Sequence, residues 1–459
     1  MEYYAAASLG IFLVTLFLMI KRPRGINLGI AAGIGAIASL LLDTVSLSDV
    51  IEAFQDIWDA ALAFIGIVAT SVTLDAMGFF KWAALKVAKL AGGNGLKLYF
   101  YIALLTTAVS ILFANDSAVL ILTPIVLELV SELKMDKESR LSYLFAAGLI
   151  ADTAAMPLIT SNPVNIVSAD YFKYSFIDHL VFMGPVAVST IIINLTVIFF
   201  IFRKSIPKSY SVILVETLAV NGVIITPTRL KISLATLVAI DVGYVLTSFY
   251  RLPVSFVICA GAIFLLVVYS ATLKNEYVLV EERKGVLSVI KAINWDILAF
   301  MIGIFLVVQG LKHTGVIDYL ASLFFSSSYL PSFLSVLVPS LIVTVGASFM
   351  NNWPMTMLGL LSIRQTISTY GFFGFVLSPQ KVTGLIFSNI IGNNLGPHFF
   401  PLGSLAILMW LAVMKRKGLT IGLRDYLKVG SILSILEVFA ASIILWLEIA
   451  VFGLHLFIA

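Results

Sequence analysis

Apolar residues run along this chain in stretches of about twenty, joined by short polar or basic turns. A helix needs about 20 such residues to cross the hydrocarbon core of a bilayer. The pattern predicts spans at Tyr4–Ile20, Ile26–Leu42, Ile57–Met77, His179–Phe202, Leu230–Phe249, Pro253–Ser270, Trp295–Leu311 and Tyr426–Leu456. Leu98–Leu133 and Pro331–Ser362 are too long for one crossing, and each carries a polar break near its middle: Asn115-Asp116-Ser117 in one, Asn351-Asn352-Trp353-Pro354 in the other. Each reads as a re-entrant hairpin, because irregular backbone is tolerated at membrane depth only when buried in protein or lining a wet cavity. Leu141–Val167 and Val382–Met414 read as crossings broken by Gly, Pro and Asn. The expected fold is an all-α polytopic membrane protein of about ten transmembrane helices plus two re-entrant hairpins. An outer-membrane barrel would show alternating segments of about ten residues instead.

Composition agrees. Apolar residues make up 60% of the 459, and charged residues 12%, against roughly 25% charged in a typical soluble domain. That excludes a soluble enzyme and a disordered or nucleic-acid-wrapping chain. The first span lacks a basic segment before it, and Lys21, Arg22 and Arg24 follow it, so it is not expected to be a cleaved signal. No GxxxxGK[ST] loop is present, so the chain is not expected to hydrolyse ATP. Phe79–Leu90 reads as a short basic amphipathic helix at the interface.

The charges set the orientation. With two hairpins and ten crossings, 24 of the 29 Lys and Arg residues fall on one side, and Lys173, Arg251, Lys312, Arg364 and Lys381 on the other. The basic majority includes Lys274, Arg283 and Lys284. Reading each hairpin as two crossings would put the Lys81–Lys97 and Lys134–Arg140 clusters on opposite sides. The positive-inside rule therefore favours hairpins, both termini outside, and a cytoplasmic linker at residues 203–228.

The chain repeats itself. Ile57–Leu85 and Asn294–Ser322 match without gaps at an offset of 237, with Trp58/Trp295, Asp59/Asp296, Gly66/Gly303 and Gly78/Gly315 among eight identities in the 28 positions from Trp58 to Leu85. The same offset carries Asn115 onto Asn352. Residues 1–202 and 229–459 then form two halves of five crossings each, with hairpins at 98–133 and 331–362 and broken helices at 141–167 and 382–414. An odd number of crossings makes the repeats inverted. Inverted repeats with broken helices are a transporter signature, with the substrate near the midplane where the breaks meet.

Four breaks carry the chemistry: Phe113–Ala118, Ala151-Asp152-Thr153 through Asn162-Pro163 to Asn165, Met350–Pro354, and Asn393-Asn394 through His398 to Ser404. Each joins helix breakers to amides or carboxylates, so half-helix ends aim their dipoles at a common region. Any single asparagine here could equally cap a helix. Asp116 and Asp152 carry more weight, since an acid inside a span usually lies on a substrate or proton path. Asp75 and Glu128 lie near helix ends. Asp59 and Asp296 read as N-terminal caps. Asp241, Glu437 and Glu448 read as packing or pairing residues, and His398 as a hydrogen-bonded structural residue.

The strings Phe113-Ala114-Asn115-Asp116, Leu120–Val126, Ile150–Ala154, Asn165–Asp170 and Pro401–Ala406 resemble those of the arsenite efflux permeases of the ArsB family, and the similarity runs from Lys21 to the final span. The resemblance implies the ion-transporter superfamily fold, with a scaffold domain and a transport domain carrying the hairpins. It implies proton-driven export of trivalent arsenic and antimonite across the cytoplasmic (inner) membrane, without a cofactor. It also implies an optional ArsA-type ATPase partner on the cytoplasmic face. The lone thiol, Cys259, cannot form a multi-thiolate trap for arsenic. The substrate is therefore expected as neutral As(OH)₃, held through its hydroxyls by amides and carboxylates. The expected site is Asn115, Asp116, Asp152, Thr153, Asn162, Asn351, Asn352, Asn393 and Asn394, with Asp116 or Asp152 taking the counter-transported proton. A Na⁺/H⁺ antiporter of the same superfamily and a membrane docking subunit for a cytosolic ATPase are the alternatives.

Overall fold

The computed structural model describes residues 2–220, 225–250, 252–272, 285–293, 295–372 and 377–457. Arg251, Lys274, Arg283, Lys284 and Asn294, used above for orientation and repeat, lie outside the described residues. The first half runs α1 (Glu2–Lys21), α2 (Leu28–Leu41), α3 (Leu47–Ala76), α4 (Phe79–Leu90), α5 (Gly95–Phe113), α6 (Asn115–Glu132), α7 (Lys137–Thr153), α8 (Pro163–Phe172) and α9 (Phe176–Phe202). The linker holds α10 (Val212–Val220). The second half runs α11 (Pro227–Tyr250), α12 (Val254–Thr272), α13 (Val286–Ala292), α14 (Asp296–Gly310), α15 (Val316–Ser328), α16 (Leu334–Met350), α17 (Asn352–Phe372), α18 (Pro379–Phe399), α19 (Leu405–Arg416) and α20 (Leu423–Trp446). The protein is all-helical among the described residues, as the apolar pattern predicts.

Local chemistry fixes the starts. Ser46 and Ser175 form capping boxes with Asp49 and Asp178 at α3 and α9. Asp136, Asn162, Ser378 and Ser404 cap α7, α8, α18 and α19 through their side chains. The Ser46 box starts α3 ten residues before the apolar run at Ile57. Asp59 therefore sits inside that helix and cannot cap it, contrary to its reading as a cap near a span start. It caps a different helix: its Oδ1 accepts from the Ser255 N–H in the first turn of α12, at 3.1 Å. Asp296 does the same for α2, where both its oxygens accept from the Gly29 N–H at 3.1 Å.

The repeat is thus structural. Asp59 and Asp296, 237 residues apart, each close the helix start of the opposite half. Gly66 and Gly303 let the same crossings approach closely. A Cβ on Gly66 would meet Ile258 at 2.9 Å, and one on Gly303 the Ala32 carbonyl carbon at 2.7 Å. Gly78 and Gly315, with φ of 82° and 73°, turn the chain into α4 and α15. The break between α5 and α6 is Ala114 (φ 65°, ψ 149°), and that between α16 and α17 is Asn351 (φ 82°, ψ 150°), again 237 apart. The short helix before each pair holds both arms. Lys81 of α4, which leads into α5, pairs with Glu128 near the end of α6. Asp318 of α15, which leads into α16, accepts from Gln365 of α17. Both helix pairs therefore fold back on themselves.

Among the described residues eight stretches are long and apolar enough to cross a membrane: six lie in α1, α3, α5, α9, α11 and α12, one is Val286–Thr314, and one, Leu423–Val451, runs on past the end of α20. α2 has 14 residues, about 21 Å at 1.5 Å per residue, less than the hydrocarbon core. Large apolar side chains are exposed along α1, α2, α9, α11 and α12, among them Leu13, Ile37, Val188, Val238 and Ile263. By contrast, α18 is buried from Val382 to His398 despite its amides. This polar helix, enclosed by apolar ones, positions the site.

Candidate substrate site at the helix breaks

At the first hairpin tip, the non-helical Ala114 frees the start of α6. Asn115 occupies its first position, and its Oδ1 accepts from the Asp116 N–H at 2.9 Å. Its amide donates to Asp152 Oδ1 at 2.6 Å. Asp152 is one residue from the end of α7, on the broken helix of the same half. The Ser404 hydroxyl, which caps α19, donates to the same Oδ1 at 3.3 Å. Asp152 Oδ2 is buried with no hydrogen-bond partner. Asp116, which follows Asn115, is buried beside the Asn115–Asp152 contact. The first hairpin, the first broken helix and the second broken helix therefore meet on one carboxylate.

The second half repeats the arrangement with amides. The caps Asp136 and Ser378 lie 242 residues apart, as do Asn162 and Ser404, and that spacing places Asp152 on Asn394. Asn162 Oδ1 accepts from Val164 N–H at 3.0 Å, and its amide donates to Asn394 Oδ1 at 2.8 Å. Asn394 in turn donates to Asn165 Oδ1 and to the Ile390 carbonyl, both at 3.0 Å. Each broken helix thus resumes at a capping side chain that donates into the other half: Asn162 to Asn394, and Ser404 to Asp152. The arrangement is reciprocal, as two inverted copies around a pseudo-two-fold axis require.

The second hairpin tip joins through backbone. Asn351 donates to the Leu402 carbonyl at 3.2 Å and accepts from Trp353 N–H at 3.2 Å. Residues 401–404 therefore touch both tips, with Leu402 at one and Ser404, through Asp152 and Asn115, at the other. Asn352 is buried and its Oδ1 has no partner. Asn393 turns back along α18, donating to Asn389 at 2.8 Å, and its own Oδ1 is without a partner. Thr153 is drawn elsewhere: its hydroxyl donates to Glu437 Oε1 at 2.7 Å. Cys259 is remote from all of these, its thiol lying 3.4 Å from the Leu62 carbonyl at the α3–α12 crossing.

Of the nine expected site residues, the structure joins Asn115 to Asp152 and Asn162 to Asn394. It brings Asp116 beside the first pair and ties Asn351 to the bridging break. Ser404, Asn165, Asn194, His398 and Glu437 are further members of this polar centre. Ser404 was legible as a helix-start residue after Pro401. Glu437 had no local signal, because no breaker or amide stands near it on α20. Four of the centre's buried acceptors, Asp152 Oδ2, Asn194 Oδ1, Asn352 Oδ1 and Asn393 Oδ1, lack a donor. Such atoms are costly unless something else supplies an O–H or N–H. Among the described residues no group of three His, Cys, Asp or Glu side chains is arranged to hold a metal ion. The unpartnered acceptors offer a hydrogen-bonding site for a small polar species.

Comparison with known proteins places this geometry. A transporter from Alcanivorax borkumensis, YdaH, whose crystal structure is described as having an unusual topology, superposes with a TM-score of 0.60 over 88% of each chain at 13% identity. That likeness shows a shared fold. The arsenical pump membrane protein of Escherichia coli strain K12 is 35% identical over 440 residues, covering 96% of this chain and 98% of its own. That of Yersinia enterocolitica is 35% identical over 453 residues with the same coverage. A family model for arsenical pump membrane proteins, ArsB, matches residues 7–449. With nearly the whole chain matched, and relatives of this identity aligned end to end, the protein belongs to the ArsB family of arsenical pump membrane proteins.

Proposed function

We propose that this protein is a secondary transporter that exports arsenite, as As(OH)₃, and antimonite across the cytoplasmic membrane in exchange for protons. The observation that carries this reading is the reciprocal meeting of the two broken helices with the two hairpin tips. Asp152 and Asn394 each receive a capping side chain from the opposite half there. The substrate contacts are Asn115, Asp116, Asp152, Asn162, Asn351, Asn352, Asn393 and Asn394. A neutral trihydroxide brings three O–H donors, and the centre holds buried acceptors that lack one, Asp152 Oδ2, Asn352 Oδ1 and Asn393 Oδ1 among them. Its own oxygens can accept from the amides of Asn115 and Asn162. Thr153 enters at one remove, through the residue it follows. No thiol takes part, so release need not break soft As–S bonds.

Asp116 and Asp152 carry the exchanged proton. Two buried carboxylates that repel each other cannot both ionise cheaply, so one of them holds a proton when the substrate is absent. Exchange of one proton for one neutral molecule moves one charge. The membrane potential then contributes about 2.3 kcal/mol per 100 mV, a gradient of roughly fiftyfold at 1.4 kcal/mol per tenfold. In this reading both termini face outside and residues 203–228 face the cytoplasm, where an ArsA-type ATPase can dock on the basic loops. Lys134 is then labelled only from the cytoplasm and Lys312 only from outside, and the reverse pattern sinks the orientation.

The deciding experiment is arsenite-dependent proton flux in liposomes containing this chain alone. Flux that follows the arsenite gradient establishes exchange without an ATPase. Proton flux that depends on Na⁺ and ignores arsenite identifies a Na⁺/H⁺ antiporter instead.

A further inference from the structure

One buried acid–base pair has no part in the exchange described so far. His398, next to the end of α18, and Glu437, in the middle of α20, are both fully buried, with Nδ1 2.7 Å from Oε2. The other carboxylate oxygen accepts from the Thr153 hydroxyl at 2.7 Å and from the Asn194 amide at 3.0 Å. Asn194 also donates to Thr153 at 2.6 Å. Four helices, α7, α9, α18 and α20, therefore converge on one carboxylate. Gly430 allows it, since a Cβ there would strike the backbone carbonyl of His398.

The hydrogen bonds constrain the protons. Thr153 and Asn194 occupy Oε1 as donors, and Oε2 shares one proton with His398 Nδ1. With that proton on the imidazole, Glu437 is an acceptor at every contact. A buried carboxylate in this state is costly unless its charge is opposed. The imidazole can oppose it by taking a second proton at Nε2, which converts a pair of charge −1 to a pair of charge 0. Thr153 directly follows Asp152, so the bond from its hydroxyl to Glu437 places the pair one residue along the chain from the Asp152 carboxylate. The other titratable groups facing the pair are Tyr426 on α20, whose hydroxyl donates to the Pro397 carbonyl, and Asp116 on α6, which acts through Asp152. α9 presents Asn194, and α16 presents Ser348, bonded to the Gly396 carbonyl.

We propose that His398 and Glu437 form a second proton-binding site, an imidazolium–carboxylate pair whose charge sets the pH at which Asp152 exchanges its proton. This rests on the reading that Asp152 is a proton carrier. His398 and Glu437 act as positioning residues: they touch Asp152 only through charge and through Thr153. Loss of the imidazolium leaves Asp152 facing a bare negative charge, so Asp152 keeps its proton to higher pH.

The test is the pH profile of arsenite-driven proton exchange in liposomes holding the full chain. His398→Asn keeps an amide donor toward Glu437 Oε2 but cannot gain a proton. Its midpoint is expected to move up by about one pH unit or more relative to wild type. Glu437→Gln keeps the contacts of the side-chain oxygen with Thr153 and Asn194. Added to His398→Asn, it removes the exposed charge and is expected to bring the midpoint back to the wild-type value. A His398→Asn profile that superposes on wild type overturns the proposal. So does a double variant that stays shifted, because the shift would then come from packing. Should His398→Asn fail to assemble, His398→Gln is judged by the same criterion. Asp152→Asn tests the underlying reading separately: if that variant exchanges protons with the wild-type profile, Asp152 is not the carrier.

Discussion

The first hairpin turns at Ala114 and places Asn115 and Asp116 at the next two positions; the second turns at Asn351 and places Asn352 and Trp353 there. The backbone at the two turns is nearly the same, positive in φ with ψ near 150°. The side chains differ in kind, an acid in one half and an indole in the other. The broken helices show the same contrast, with Asp152 opposite Asn394. The repeat has kept the geometry that exposes half-helix ends, and the acids sit at the breaks of the first half only. One set of carboxylates needs one set of compensating donors, whereas a symmetric pair would double the buried charge.

That contrast can be broken most sharply at Asp152. Asp152→Asn gives both halves an amide at this position while keeping a group that Asn115 can reach. Proton-driven arsenite uptake into everted vesicles is expected to fall by about 100-fold or more, the usual weight of a positioned proton-transfer group, while the protein still assembles. Full uptake would show that the acid is dispensable and the halves are chemically equivalent.

Next come the reciprocal caps. Asn162 holds both Val164 N–H and Asn394 at 3.0 Å and 2.8 Å, whereas Ser404 reaches Ile407 N–H and Asp152 at 3.4 Å and 3.3 Å. Asn162→Ala is expected to cost about 2 kcal/mol and Ser404→Ala about 1 kcal/mol, within the range for lost caps. Thermal unfolding in detergent reads the difference, and an equal or reversed order would deny the closer fit of the first half's cap.

A smaller test is the pair of crossing glycines. Gly303→Ala presses on Ala32 backbone, Gly66→Ala first on the Ile258 side chain. Overpacking costs roughly 1–3 kcal/mol, with Gly303→Ala at the upper end because backbone cannot rotate away. The smallest effect is expected of Cys259→Ala, whose arsenite uptake should equal wild type. A dead variant would restore a thiol to the mechanism.

Much of this was legible in sequence. The apolar runs gave the spans, and the offset of 237 paired Gly78 with Gly315 and Asn115 with Asn352; the structure turns at both glycines and, one residue before each asparagine, at Ala114 and Asn351. Phe79–Leu90 matches α4 residue for residue. Its counterpart α15 went unread because Val316–Ser328 lacks the lysines that marked α4 as amphipathic. Asp59 was misplaced because a capping box at Ser46, in a mixed polar stretch, starts its helix early. Glu437 was read as a pairing residue, and it does pair. Its partners Thr153, Asn194 and His398 are 284, 243 and 39 residues away, and no local pattern encodes such distances. Thr153 was chosen for its neighbour, Asp152, and its hydroxyl points to another carboxylate.

The crossed caps also govern biosynthesis. Gly29 waits for Asp296, 267 residues later, and Asp152 for Ser404, 252 residues later. At ~5–20 residues per second, a ribosome needs roughly ten to fifty seconds to supply either partner. Through that interval the inserted first half holds an open helix start and an incompletely bonded acid in the bilayer. Neither can settle until the second half arrives in the opposite orientation. A membrane protease that samples unfinished chains would find its substrate in that window, and truncation anywhere before Ser404 would hold the window open.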